Sequence, residues 1–81
     1  MVTIKFFASL REVAGCAEIA LDGSSMEDVW QALSEQFAEA VVLELRGDNV
    51  RIAHNQRLLT DLDIRLQDGD ELAFLPPVTG G

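Results

Sequence analysis

Val2, Ile4 and Phe6 alternate with Thr3, Lys5 and Phe7, the period-two pattern of a strand with one face on a core. This predicts a first strand over residues 2–7. Ser9 followed three residues later by Glu12 has the form of a capping box for a short helical turn over 10–14, and Gly15 can supply the left-handed residue that stops it. A second strand is expected over 17–21. Asp22-Gly23 then signals a turn, and Ser25 with Asp28 forms a second, weaker cap ahead of Met26, Val29, Trp30, Leu33 and Phe37. Those five recur at helical spacing and predict a helix over 26–38, with Glu27, Gln31, Ser34 and Glu35 on its wet faces.

Residues 41–45 are apolar without a clear period, and Gly47-Asp48-Asn49 reads as a turn. Residues 50–54 read as a third strand ending at Asn55-Gln56, Leu58 and Leu59 as a short strand, and Asp68-Gly69-Asp70 as a strong turn. In the last strand Leu72 and Phe74 alternate with Ala73 and Leu75, and Pro76 ends it by removing a ladder donor. One substantial helix among several strands predicts an α+β layer, a mixed sheet with the main helix packed on one face.

With 81 residues there is room for one domain and one modest core. A net charge of -8 would repel nucleic-acid phosphates and anionic lipid, so neither nucleic acid nor a membrane is expected as a partner. Cys16 is the only cysteine, which excludes an internal disulfide, and no apolar run approaches the roughly 18 residues of a membrane span. A cytoplasmic setting fits this usage.

The side chains that could carry chemistry each have a plainer reading. Cys16 has no base beside it in sequence and reads as a small hydrophobe. His54 lacks a second His or Cys at ligand spacing, so no metal site is expected, and it reads as a turn or surface residue. Asp61, Asp63, Asp68, Asp70 and Glu71 lack the ligand order of a calcium loop and read as a solvated face. Trp30 belongs to the helix's core stripe. No Ser/His/Asp set, phosphate-binding glycine loop or CxxC pair is present, so any chemistry is shared with a partner.

The C-terminal segment Pro76-Pro77-Val78-Thr79-Gly80-Gly81 is different. At average glycine usage two terminal glycines arise by accident roughly 0.5% of the time. Pro76-Pro77 favours extended geometry, and six extended residues reach about 18–20 Å at roughly 3.1–3.4 Å each. Two glycines fit a narrow channel, and the Gly81 carboxylate is sterically open to activation by an enzyme. The expected working part is that carboxylate.

This tail completes a pattern with Phe6-Phe7-Ala8-x-x-Arg11-Glu12-x-x-Gly15, Asn55-Gln56 and Asp68-Gly69-Asp70-Glu71-x-Ala73-Phe74-Leu75. Together they resemble the MoaD-type family of ubiquitin-like sulfur carriers, the small subunits of molybdopterin synthase. The resemblance implies a β-grasp domain over residues 1–75 and an extended tail over 76–81. It implies that an ATP-dependent adenylating enzyme activates Gly81, that a sulfur donor protein converts it to a thiocarboxylate, and that the tail, Pro76 to Gly80, threads into the large catalytic subunit of a heterotetramer. There the sulfur passes to the pyranopterin precursor of the molybdenum cofactor. The chain would be non-catalytic alone, would bind no cofactor, and would leave ATP to its partner. The positions matching the family's apolar docking surface are Phe7, Leu58 and Leu75, with Phe74 beside them, and Leu75 stands where the family often has phenylalanine. Carriers for thiamine synthesis or tRNA thiolation also end in Gly-Gly, and a β-grasp binding module with an inert tail is the alternative outside carriers.

Overall fold

A computed structural model gives the structure of the chain and describes residues 1–77. The elements run β1 (Val2–Phe6), α1 (Ser9–Ala14), β2 (Glu18–Leu21), α2 (Met26–Gln36), α3 (Glu39–Leu45), β3 (Arg51–His54), β4 (Arg57–Leu58) and β5 (Glu71–Leu75). The five strands form one sheet in the order β2-β1-β5-β3-β4. The pair β1 and β5 is parallel, and the other three pairs are antiparallel. This is the mixed sheet of a β-grasp, and its central pair brings the first and last strands side by side.

The period-two pattern sets the core. Val2, Ile4 and Phe6 of β1 and Leu72 and Phe74 of β5 turn to the same side of the sheet and are buried there. The helix α2 covers that side with Met26, Val29 and Leu33, spaced so that they share one stripe. Each such side chain taken out of water contributes about 1.5–3 kcal/mol. Aromatic packing continues across the layer: Phe6 stacks on Phe74 with centroids 5.7 Å apart, and Trp30 meets Phe74 at 5.6 Å. The expected core role of Trp30 is therefore met, and Arg46 lies over its outer ring face at 5.0 Å.

The cap at Ser25 forms as expected. Its Oγ accepts the Asp28 N–H at 3.2 Å, and Asp28 in turn accepts from the backbone and hydroxyl of Ser24. Gly15 also stops α1 as expected, at φ 79°. The Ser9 capping box does not form. The cap position is Ala8, at φ 50° and ψ -126°, and no side chain caps the helix. Leu10 and Arg11 donate instead to the carbonyls of Phe7 and Ala8, so the chain turns sharply and Ser9 is already inside α1.

Residues 41–45, which lack a visible period, belong to α3. Val42 and Leu45 lie three apart and are buried, while Leu43 between them is 63% exposed and hides the pattern. The main helix ends at Gln36, two residues before the expected end, because Phe37 adopts an extended backbone as its C-cap. Asn55 and Gln56 both take positive φ, 50° and 71°, which gives the β3–β4 hairpin the handedness of a two-residue primed turn.

Candidate functional site

The second side of the sheet carries no helix. Strand alternation and register place Lys5, Phe7, Glu71, Ala73, Leu75, Ala53 and Leu58 around one groove there, of about 400 Å³. Parallel pairing explains why Phe7 and Leu75 meet: Phe6 pairs with Phe74, and the Phe7 N–H still donates to the Phe74 carbonyl at 3.1 Å. Both chain segments therefore leave the sheet at the same end. Phe7 is 40% and Leu58 61% exposed, and Leu75 is half-buried. The alanines Ala53 and Ala73 pair with one another across β3 and β5 and make the floor.

Phe74 corrects the expectation that it belongs to the same surface. Its side chain is 0% exposed, held between Phe6 and Trp30, so it shapes the core and cannot touch a partner. Ala53 and Ala73 were not singled out by sequence, although the alternation Leu72-Ala73-Phe74-Leu75 carries the signal that Ala73 shares a side with Leu75.

The rim of the groove away from the tail is closed by an ion pair, Lys5 Nζ to Glu71 Oε1 at 3.1 Å. At the other end β5 stops at Leu75, Pro76 is half-buried and Pro77 is exposed. Pro77 borders a second depression between Ser9, Leu10 and Val13 of α1 and the Asp48–Val50 approach to β3. The stem thus departs directly beside the open apolar face. Val78, Thr79, Gly80 and Gly81, the expected working end, lie outside the described residues.

The other residues singled out from sequence fall elsewhere. Asp70 Oδ2 accepts from the Gln67 N–H at 2.9 Å and lies 2.8 Å from His54 Nε2, while its Oδ1 accepts from the Asn55 side chain at 3.1 Å. The Gln67 backbone bond first, then those to His54 and Asn55, hold the Asp70 carboxyl down at about 2. Asn55 completes the lock by accepting from the Glu71 N–H, so this cluster ties the β3–β4 hairpin to the start of β5. Asp68 meets the amino group of Met1. Cys16 is half-buried against the core, with its sulfur 3.9 Å from the Ala14 carbonyl. Among the described residues no three His, Cys, Asp or Glu side chains are grouped to hold a metal ion, and no helix is long and apolar enough to cross a membrane.

One family model, that of the ThiS family, matches residues 4–81. The chain belongs to the ThiS family. Within it, the chain is 40% identical to the molybdopterin synthase sulfur carrier subunit of Escherichia coli (strain K12), over 100% of both chains. Among solved structures, small archaeal modifier protein 1 from Methanosarcina acetivorans superposes with a TM-score of 0.81 at 34% identity, covering 99% of this chain and 95% of that one. Subunits 1 and 2 of the molybdopterin-converting factor from Helicobacter pylori 26695 were solved as a protein-protein complex. A chain of that complex matches with a TM-score of 0.71 at 26% identity, covering 99% of this ThiS-family chain and 97% of its own length.

Proposed function

We propose that this chain is the sulfur carrier subunit of a molybdopterin synthase. The observation that carries the reading is the match, end to end and at 40% identity, to a subunit of that name. The Pro76-Pro77-Val78-Thr79-Gly80-Gly81 ending, which lies within that match, supports it.

In this reading the Gly81 carboxylate attacks the α-phosphate of ATP on a separate adenylating enzyme, releasing pyrophosphate and leaving an acyl-adenylate. Sulfur delivered by the donor at the sulfide level then attacks the acyl carbon and displaces AMP, leaving a thiocarboxylate. The large catalytic subunit receives the tail, the thiocarboxylate sulfur bonds to the pyranopterin precursor, and water then cleaves the bond between the carbonyl carbon and that sulfur, returning the carrier to a carboxylate. The chain contributes reach, a slender Gly80-Gly81 end and a docking face formed by Phe7, Leu58 and Leu75. It holds no metal or cofactor of its own, and ATP belongs to the adenylating enzyme. The setting is cytoplasmic, where the ATP and reduced sulfur this chemistry consumes are supplied.

Intact-mass analysis after incubation with the adenylating enzyme, ATP and a sulfur donor is expected to show one oxygen replaced by sulfur at the C-terminus. An unchanged mass with an enzyme active on another carrier would overturn the reading. The 34% identity to an archaeal modifier protein favours a second reading, attachment of Gly81 to lysines of other proteins. In that case the same incubation in a cell extract yields amide-linked conjugates in place of the thiocarboxylate.

A further inference from the structure

The open side of the sheet has a charge distribution unlike the rest of the chain. Register places Glu18, Lys5, Glu71 and Arg51 on it: Lys5 pairs with Glu18 across β1 and β2, and Arg51 pairs with Leu75 across β3 and β5. Thr3, on the same side as Lys5, pairs with Glu71. Two acids and two bases cancel there, whereas the whole chain carries -8.

These four charges are also separated along the strands. Glu71 sits at the end of β5 far from the tail, and Lys5, level with Glu18 and Ala73 midway along the face, satisfies it at 3.1 Å. Arg51 sits at the tail end, directly opposite Leu75, the last residue before the Pro76-Pro77 stem. It is exposed, and among the described residues it makes no ion pair or side-chain hydrogen bond. Its neighbour Ile52 is buried, which puts Arg51 on the open side by alternation. Arg46, by contrast, is occupied over Trp30 on the helical side.

Arg51 does not line the groove itself and also borders a depression toward Asp48 and Asp61, but its pairing with Leu75 puts it beside any partner that covers Leu75. Burying a guanidinium without a counter-charge is costly, while a carboxylate opposite its fork makes two parallel charge-assisted bonds. We infer that Arg51 is a specificity-determining residue of the docking face, and that it is met by an aspartate or glutamate of the large catalytic subunit beside the entrance that receives the tail. The partner class rests on the sulfur-carrier reading above. A charge pair at that position, opposite Leu75, fixes the partner's register on the face so that its entrance lies at the tail root.

The test is a titration of the large subunit with wild-type chain, Arg51→Glu, Arg51→Lys and Leu58→Asp, at low and high salt. Arg51→Glu is expected to weaken binding by about tenfold or more, by placing like charges together, while Arg51→Lys, which keeps the charge and loses the fork, falls between it and wild type. The loss should be larger at low salt, and the melting temperature should not move, which separates a contact role from a structural one. Arg51→Glu binding within about twofold of wild type at low salt would overturn the inference. If wild type itself fails to bind the large subunit, the sulfur-carrier reading falls. If wild type binds and Leu58→Asp does not, while Arg51→Glu binds normally, only the role of Arg51 falls.

Discussion

His54 Nε2 and Asp70 Oδ2 lie 2.8 Å apart, joining the end of β3 to the turn that starts β5. Neither residue faces the groove formed by Phe7, Leu58 and Leu75. Their bond, with those from Gln67 and Asn55, holds the two strands in the register that brings Arg51 opposite Leu75 and Ala53 opposite Ala73.

Asp70 gives this lock a pH dependence. Its carboxyl is held at about 2 in the folded chain against an ordinary 3.8, so the unfolded chain binds its proton first as pH falls. The contribution is complete above the ordinary value and is lost as pH drops through the window between the two. Asp70→Asn is expected to be less stable than wild type in denaturant titrations at neutral pH. The gap should shrink as the titrations are repeated below about pH 4.

Ala8 is held at φ 50° and ψ -126°, a region that costs a side-chain-bearing residue roughly 1–3 kcal/mol. Ala8→Gly relieves that strain and gives back part of it through the greater freedom of glycine in the unfolded chain. A net gain of about 1 kcal/mol is expected, read as a higher urea midpoint at unchanged slope.

Leu58 is 61% exposed on the two-residue strand β4, so replacing it removes little buried surface. Leu58→Asp is expected to stay within about 0.5 kcal/mol of wild-type stability. Its affinity for the large subunit should fall at least about tenfold, since a charge then sits in the apolar centre of the docking face. Calorimetric titration with thermal melts of the same samples checks both.

Phe74 sits at the centre of the aromatic packing with Phe6 and Trp30. Phe74→Ala is expected to cost about 3–5 kcal/mol, a large share of the whole stability of a domain this size. Loss of a cooperative thermal transition, together with loss of all partner binding, would mark it as a core residue.

Much of this was legible because it is local. The alternation in β1, the stripe of α2, the cap at Ser25, the stop at Gly15 and the turn at Asn55-Gln56 each depend on residues within a few positions of one another. The Ser9 cap failed for a reason the local pattern does not contain. Parallel pairing of β1 with β5 carries the chain one residue past the strand, and Ala8 must turn at positive φ to return to the core. The helix α3 was hidden because Leu43 is exposed, and an apolar run with one wet member has no clean period.

By itself the sequence determined which residues seek a core, where the helix and turns begin, and that the chain ends in a proline stem and two glycines, because each is encoded in residue type and spacing. Only the tertiary structure decided which strands are neighbours. Pairing the first strand with the last is a contact between residues nearly seventy positions apart, and loop closure leaves no trace of it in the local pattern. That pairing buries Phe74, leaves Phe7 and Leu75 side by side in the open, and sets Arg51 at the root of the tail.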